Sequence, residues 1–172
     1  MKIILLGYMA SGKSTIGKKM AKELQMTFID LDDYIVKQEN LSIIEIFKSK
    51  GEIYFRKKET IYLEELMNNN EKFILALGGG TPCYGNNMEI INKIGISFYL
   101  KYSLQNIYDR LSRVKNKITR PLISNISTDK LKEFIAKHLF ERSPFYEKAK
   151  HIIISDNKTK KEIAKEILGL IN

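Results

Sequence analysis

The chain has 172 residues, of which 44% are hydrophobic and 28% are charged, and its formal net charge is +9. This length predicts one domain, residues 1–172, with a core of its own, and no apolar run is long enough for a membrane-spanning helix. The single cysteine, Cys83, excludes an intramolecular disulfide, and with only two histidines the usual structural zinc site is excluded too. The apolar run near the first residue is shorter than that of a signal peptide and meets a glycine loop, so we expect a cytoplasmic protein.

The positive charge is compatible with nucleic-acid binding. The lysines are, however, spread over many segments, with no tract of five or six like charges. We therefore expect solvated helix faces, or basic residues gathered around an anionic substrate, rather than a nucleic-acid partner.

Short apolar runs alternate with amphipathic segments along the chain. The runs predict buried parallel strands at residues 2–6, 27–30, 73–77, 96–100 and 151–155. The amphipathic segments predict helices at residues 14–25, 52–69 and 159–171. This alternation predicts an α/β fold with three layers, in which helices cover both faces of a five-stranded parallel sheet. Ligands of such folds bind at the carboxyl ends of the strands.

The stretch GYMASGKS, from Gly7 to Ser14, fits the phosphate-loop pattern G-x-x-x-x-G-K-[ST] between a predicted strand and a predicted helix. Gly7 and Gly12 let backbone N–H groups turn toward phosphate oxygens. Lys13 reaches the β- and γ-phosphates, and the Ser14 hydroxyl takes a Mg²⁺ ligand position. The alternative is a glycine-rich turn with a solvated lysine, and in the empty loop we expect Lys13 to face solvent.

The phosphate loop predicts that a nucleoside triphosphate binds here together with Mg²⁺. We expect nucleotide contacts from the loop and the start of its helix: Gly7, Ala10, Ser11, Gly12, Lys13, Ser14 and Thr15. A regulatory GTPase would also need an Asp-x-x-Gly switch and an Asn-Lys-x-Asp base reader, and the sequence contains neither. A small phosphotransferase is the natural interpretation.

Two carboxylates follow the second predicted strand, because Asp30 ends it and Asp32 lies two residues on. In extended backbone their side chains would project the same way. Near a phosphate loop, one carboxylate can orient Mg²⁺ while the other accepts a proton from a substrate hydroxyl. We assign the cap of the next helix to Asp33 and keep Asp30 and Asp32 as functional residues.

Three glycines, Gly78, Gly79 and Gly80, come directly after the third predicted strand. A tight turn needs one or two, so the third indicates that another group lies close against the main chain. Two alternatives stay open: a substrate bound to a glycine N–H group, or a crowded crossing of strand and helix.

Arginines are the candidates for binding anions, because guanidinium forks match carboxylate and phosphate oxygens in pairs. The candidates are Arg56, Arg113, Arg120 and Arg142. The polar, basic segment 114–127 predicts a lid that closes over the triphosphate and brings Arg120 to the γ-phosphate. A solvated loop is the alternative.

The chain resembles the shikimate kinases, small phosphate-loop enzymes of aromatic amino-acid biosynthesis. Its motifs occur in the order and at the spacing of that family. The similarity extends over essentially the whole chain, through GYMASGKSTIG, FIDLD, FRKKE, LGGG, TRPLI and ERSPFYEKA. The sequence departs from the family at Ala10, where glycine is common. Near the fifth strand it stays open whether Lys158 or Thr159 faces the adenine.

The resemblance implies transfer of the γ-phosphoryl group of ATP to the 3-hydroxyl group of shikimate. On the acid side, Arg56 and Arg142 would grip the carboxylate of shikimate. Asp32 would hold the ring hydroxyls and act as the base. The backbone of Gly79, in the triplet 78–80, would help to bind the substrate.

On the nucleotide side, the resemblance implies that Lys13 and Arg120 neutralise the transferring phosphoryl group. Ser14, supported by Asp30, would hold Mg²⁺, and Arg113 would lie against the adenine.

Two other functions remain as alternatives to a shikimate kinase. One is another small-molecule phosphate-loop kinase, such as a gluconate or nucleoside monophosphate kinase, and a gluconate kinase would also use arginines for a carboxylate. The other is a nucleic-acid-binding ATPase, which would use the net positive charge. We expect a monomer that acts on a small molecule, without a nucleic-acid or membrane partner.

Overall fold

The computed structural model describes residues 1–113, 123 and 126–171. Its five strands form one parallel sheet in the order β2-β3-β1-β4-β5. The strands are β1 (Lys2–Leu6), β2 (Thr27–Asp30), β3 (Phe73–Ala76), β4 (Ile96–Lys101) and β5 (His151–Ile154). The predicted α/β fold is confirmed, and each predicted strand ends within one residue of the observed one.

Helices connect these strands. They are α1 (Lys13–Leu24), α2 (Leu31–Glu39), α3 (Ile43–Asn68), α4 (Asn87–Ile94), α5 (Leu104–Leu111), α6 (Thr128–Tyr146) and α7 (Lys160–Ile171), with a 3₁₀ turn at Thr81–Cys83. Among the described residues, none of these helices combines the length and the apolar character that crossing a bilayer requires.

The central strand β1 shows why the fold has three layers. Ile3, Ile4, Leu5 and Leu6 are all completely buried. Since successive side chains of a strand point to opposite faces of the sheet, both faces must be covered. The predicted helical layers on the two faces are therefore present.

Helix α3 is interrupted at Gly51, where φ is 82° and ψ is 170°. L-residues rarely adopt this backbone conformation, so glycine is required there. A capping box of Ser42 and Glu45 begins the first piece. The second piece corresponds to the helix predicted at 52–69, and the first piece was not predicted.

Asp30, and not Asp33, caps helix α2. The Asp30 side chain accepts a hydrogen bond from the backbone N–H of Asp32 at 3.2 Å. Helix α2 begins at Leu31, so Asp33 lies within its first turn and the backbone at Asp32 is helical. The prediction of an Asp33 cap was wrong, because the carboxylate that ends the strand also begins the helix.

The predicted lid, 114–127, falls largely outside the described residues, and with it Arg120. Within that range, Ile123 is buried in the hydrophobic core. Helix α6 begins immediately after the range, with Ser127 in the N-cap position.

Candidate active site

Three segments leave the sheet side by side at its carboxyl edge. The strand register aligns Leu5 with Ala76 and Ala76 with Asp30. The phosphate loop, the aspartates and the glycine triplet therefore follow strand ends that lie next to one another in the sheet. Above them lies a cleft of about 1420 Å³, lined by these three segments together with arginines from α3, α5 and α6. A ligand site at the carboxyl ends of the strands is what the fold predicts.

The phosphate loop depends on left-handed or otherwise unusual backbone at three positions. The φ angles of Gly7, Ala10 and Gly12 are 144°, 62° and 90°. A β-carbon at position 7 would lie 2.9 Å from the carbonyl oxygen of Leu100, so glycine is needed there for space as well. Ala10 adopts the left-handed conformation in spite of its methyl group, and this costs about 1 kcal/mol relative to glycine.

Lys13 is held by the loop that it follows. Its Nζ donates hydrogen bonds to the carbonyl oxygens of Gly7 and Tyr8, at 2.9 and 3.0 Å, and to Ser11 Oγ at 3.3 Å. The side chain is half-buried, so the expectation that Lys13 faces solvent was wrong. The ammonium group satisfies its donors inside the loop, and phosphate oxygens would have to replace these acceptors.

Ser14 and Asp30 are adjacent, because the Ser14 hydroxyl donates to Asp30 Oδ2 at 2.7 Å. A hydroxyl and a carboxylate are hard oxygen donors, which suit Mg²⁺ held partly by phosphate oxygens and water. Among the described residues, no group of three or more histidines, cysteines or acidic residues forms a cage for a metal ion. The two adjacent oxygen donors of Ser14 and Asp30 fit Mg²⁺ by their chemistry.

The pKa of Asp32 is shifted strongly by the groups around its side chain. Burial raises the pKa of Asp32 to about 6, and the neighbouring carboxylates of Asp30 and Glu59 add to this, while Lys13 and Arg56 oppose it. A carboxylate with this pKa is a better proton acceptor near neutral pH than an ordinary aspartate.

Arg56 is fixed by an acidic partner that was not predicted. Its Nη1 donates to Glu59 Oε2 at 2.8 Å, and Glu59 is 1% exposed. The second oxygen of Glu59 accepts a hydrogen bond from Thr81 Oγ1 at 2.5 Å. The signal for this pair was the spacing of three residues within FRKKE, which brings both side chains to one helix face.

Arg142 approaches the same edge from helix α6. Its Cζ lies 5.8 Å from the centre of the Tyr8 ring, which is within the range of a cation–π contact. Tyr146, one turn later on the helix, donates a hydrogen bond to the carbonyl oxygen of Gly79 at 2.5 Å. Helix α6 is thereby fastened to the glycine triplet.

The triplet makes room for functional side chains. A β-carbon at Gly78 would lie 2.9 Å from Asp32 Oδ1, and one at Gly79 would lie 3.3 Å from Arg142 Nη1. A β-carbon at Gly80 would lie 2.5 Å from Arg56 Nη2. The candidate site residues therefore crowd all three positions, most closely at Gly80 and least closely at Gly79. Binding of a substrate to a glycine N–H group stays a prediction.

Arg113 is exposed and lines the cleft. Sequence reasoning missed Arg110, whose Nη1 donates to the carbonyl oxygen of Ala10 at 3.1 Å and whose guanidinium lies 4.0 Å from the centre of the Tyr102 ring. A single arginine in a helix carries no signal that distinguishes a loop contact from surface charge.

The segment after β5 reaches the cleft through Lys160. Lys158 pairs with Glu166 at 2.6 Å, and Thr159 forms a capping box with Glu162 at the start of α7. Lys160 lines the cleft and its Nζ lies 3.4 Å from Thr15 Oγ1. Which of Lys158 and Thr159 faces the adenine stays open, and Lys160 is a further residue of this segment at the cleft.

The chain is similar to known proteins in sequence and in fold. The model of the shikimate kinase family matches residues 9–172. A shikimate kinase of Flavobacterium johnsoniae is 50% identical over 171 residues, which covers 99% of this chain and 98% of that protein.

Two solved structures are also similar. A shikimate kinase from Bacteroides thetaiotaomicron has a TM-score of 0.89 at 32% identity, with 99% of this chain and 98% of that chain covered. A shikimate kinase from Acinetobacter baumannii in complex with shikimate has a TM-score of 0.85 at 33% identity, with 99% and 92% covered.

Proposed function

Because the chain belongs to the shikimate kinase family, we propose that it transfers the γ-phosphoryl group of ATP to the 3-hydroxyl group of shikimate. The products are ADP and shikimate 3-phosphate. The reaction uses Mg²⁺ and belongs to aromatic amino-acid biosynthesis.

One observation carries the choice of a small organic acid as the acceptor. Arg56 and Arg142 come from different helices, yet their guanidinium groups lie against the neighbouring residues Gly80 and Gly79. Two forked cations that converge on one short stretch of backbone suit a single carboxylate. The phosphate loop forms another wall of the same cleft.

In the proposed reaction, Arg56 and Arg142 bind the carboxylate of shikimate. Asp32 accepts hydrogen bonds from the ring hydroxyls and takes the proton of the 3-hydroxyl group as the phosphoryl group is transferred. Its raised pKa supports this role, as does its position against Gly78. Fixing the acceptor hydroxyl in line with the phosphoryl group supplies much of the rate.

On the phosphate side, the N–H groups of residues 7–15 cradle the anion, and Lys13 neutralises charge that develops on the transferring group. Lys13 has to give up the carbonyl oxygens of Gly7 and Tyr8 to do so. Ser14 and Asp30 would hold Mg²⁺, which would supply positive charge beside the phosphates.

Arg113 and Arg120 complete the proposed nucleotide site. The exposed position of Arg113 in the lining of the cleft supports a contact with the adenine. Arg120 lies outside the described residues, and its role beside the γ-phosphate rests on the family resemblance alone.

We further propose that residues 1–172 act as one domain and as a monomer in the cytoplasm, where ATP is available, without a nucleic-acid or membrane partner. A small acceptor that fits inside one cleft supports a monomer, because no second copy is needed to complete the site. Light scattering after gel filtration tests it, and a dimer mass would contradict it.

The proposed function is tested by coupling ADP release to NADH oxidation, with shikimate and gluconate as alternative acceptors at equal concentrations. We expect rapid turnover with shikimate and background turnover with gluconate. Turnover of gluconate without turnover of shikimate would overturn the proposal.

A further inference from the structure

Tyr8 belongs to the phosphate loop by position, but its side chain is buried beside Arg142, a candidate ligand of the substrate carboxylate. The residue is 1% exposed, and the Arg142 guanidinium lies 5.8 Å from the centre of its ring. Its hydroxyl lies 3.2 Å from Nδ1 of His138. The phosphate-loop motif does not specify this residue, so the motif gives no account of the contact.

His138 connects Tyr8 to the helix that carries Arg142. It lies four residues before Arg142 on α6, so the two side chains share a helix face. Its ring meets the Tyr8 ring edge-on, with 6.2 Å between the centroids, and packs on Phe134 at 4.3 Å. His138 also lines the cleft. Tyr8 therefore touches α6 at two successive turns, through the ring of His138 and the guanidinium of Arg142.

The protonation states suit a fixed hydrogen bond between the two side chains. Burial raises the pKa of Tyr8 to about 12, so the phenol keeps its proton. Burial and the charge of Arg142 lower the pKa of His138 below its ordinary value, which favours the neutral ring. A neutral ring that accepts at Nδ1 carries its proton on Nε2.

We propose that Tyr8 and His138 form a positioning pair, in which the Tyr8 hydroxyl donates to His138 Nδ1 and so holds helix α6 with the Arg142 guanidinium against Gly79. The proposal deepens the proposed function and rests on it, because Arg142 is there a ligand of the shikimate carboxylate. Neither residue of the pair needs to touch the substrate. The pair acts by restricting the positions that Arg142 can adopt before the acid binds, and such preorganisation favours affinity.

This arrangement makes an unusual prediction for a residue of a phosphate loop. Tyr8→Phe keeps the ring under Arg142 and removes only the hydroxyl. We expect KM for shikimate to rise about five-fold, the factor that one modest hydrogen bond supplies, while KM for ATP and kcat stay within about two-fold. A defect in the loop itself would raise KM for ATP instead.

Further variants separate positioning from general damage. His138→Leu should reproduce the effect of Tyr8→Phe, and the double variant should be no worse than either single one. His138→Gln, which keeps an acceptor, should recover part of the lost affinity. Tyr34→Phe is the matched control: it removes a phenol that bonds to Glu65 outside the cleft, and it should leave both KM values unchanged. Equal rises in KM for ATP and shikimate, or additive effects of the two single variants, would overturn the pair.

An NMR measurement without substrate tests the Tyr8–His138 pair separately from the proposed kinase function. The chain has only two histidines, so the ring ¹⁵N signals of His138 are assigned by comparison with His138→Leu. We expect a neutral ring with Nδ1 unprotonated and hydrogen-bonded at pH 7.5, and a shift of that Nδ1 signal in Tyr8→Phe. A protonated Nδ1, or an unchanged signal in Tyr8→Phe, would exclude the hydrogen bond whatever the substrate of the enzyme. Lack of shikimate turnover by the unmutated protein would instead overturn the proposed function.

Discussion

The guanidinium of Arg56 lies directly against the backbone of Gly80. A β-carbon at position 80 would stand 2.5 Å from Nη2 and 2.6 Å from Nη1. The glycine is needed for space and not for an unusual backbone angle, since φ at Gly80 is −91°. Because Arg56 occupies the space that a β-carbon would need, a change of Gly80 to alanine tests the proposed binding site for the substrate carboxylate.

Gly80→Ala should displace Arg56 and weaken acid binding. We expect KM for shikimate to rise about ten-fold or more, with KM for ATP nearly unchanged, because the lost group binds only the acid. Gly169→Ala is the control, since it adds a methyl group within helix α7 where no atom lies within 4 Å. An unaltered KM for shikimate in Gly80→Ala would show that Arg56 does not need its observed position.

Lys13→Ala should remove charge stabilisation from the transferring phosphoryl group. We expect kcat to fall by about 10²–10³, with melting temperature little changed because the lost hydrogen bonds lie within one loop. Lys19→Ala removes an exposed lysine from the same helix and should keep full activity. Turnover by Lys13→Ala within two-fold of the unmutated protein would contradict the phosphate-loop interpretation.

Asp32 should make activity depend on pH near 6. Because its pKa is raised to about 6, the proton-accepting carboxylate predominates above that pH and is lost below it. With both substrates far below saturation, the rate reports the free enzyme and should fall about ten-fold per pH unit below pH 6.

Asp32→Asn is the control for this profile. It should lower kcat by about 10²–10³ and remove the limb near pH 6. A limb that persists unchanged in the variant would belong to the nucleotide or to another group, and Asp32 would then not be the base.

Glu39 should stabilise the packing of helix α2 on α3. Its carboxylate accepts hydrogen bonds from Tyr62 at 2.6 Å, Tyr54 at 2.7 Å and Lys50 at 3.2 Å. Its side chain is 5% exposed. These bonds, with the charge of Lys58, lower the pKa of Glu39 to about 2. A lowered pKa stabilises the fold above the ordinary value of 4.5, and this contribution is lost as the pH falls toward 2.

Glu39→Gln should therefore lower the free energy of unfolding by about 1–2 kcal/mol at pH 7. The difference from the unmutated protein should shrink between pH 4.5 and the lowest pH at which unfolding stays reversible. Urea titrations at several pH values measure it, with the exposed Glu23→Gln as control. A difference that is independent of pH would mean that packing, and not the ionised carboxylate, is responsible.

The sequence predicted the sheet and the phosphate loop because these depend on local patterns. Strand β1 is apolar throughout, and the phosphate loop has a fixed spacing of glycine, lysine and serine. The prediction of an Asp33 cap was wrong because Asp30 had been assigned only to the metal site. Asp30 also caps helix α2, and the sequence does not show that one residue has both roles. The first part of α3 was missed because Gly51 breaks its periodicity.

Contacts between distant segments were beyond sequence reasoning. Tyr8 and His138 are 130 positions apart, and Lys160 and Thr15 are 145 positions apart. No local pattern indicates such pairs, since each residue alone resembles a packed aromatic or a surface charge. Lys13 was expected in solvent because the motif describes the lysine only by its contact with phosphates, whereas the loop supplies acceptors from its own carbonyls.

The most direct test of the central claim is a through-bond ³¹P–¹H NMR correlation of the product formed from ATP and shikimate. We predict a single phosphoester whose phosphorus couples to the proton on C3 of the ring. Coupling to the proton on C4 or C5, or release of inorganic phosphate without any ester, would contradict the proposed alignment of Asp32, Lys13 and the two guanidinium groups.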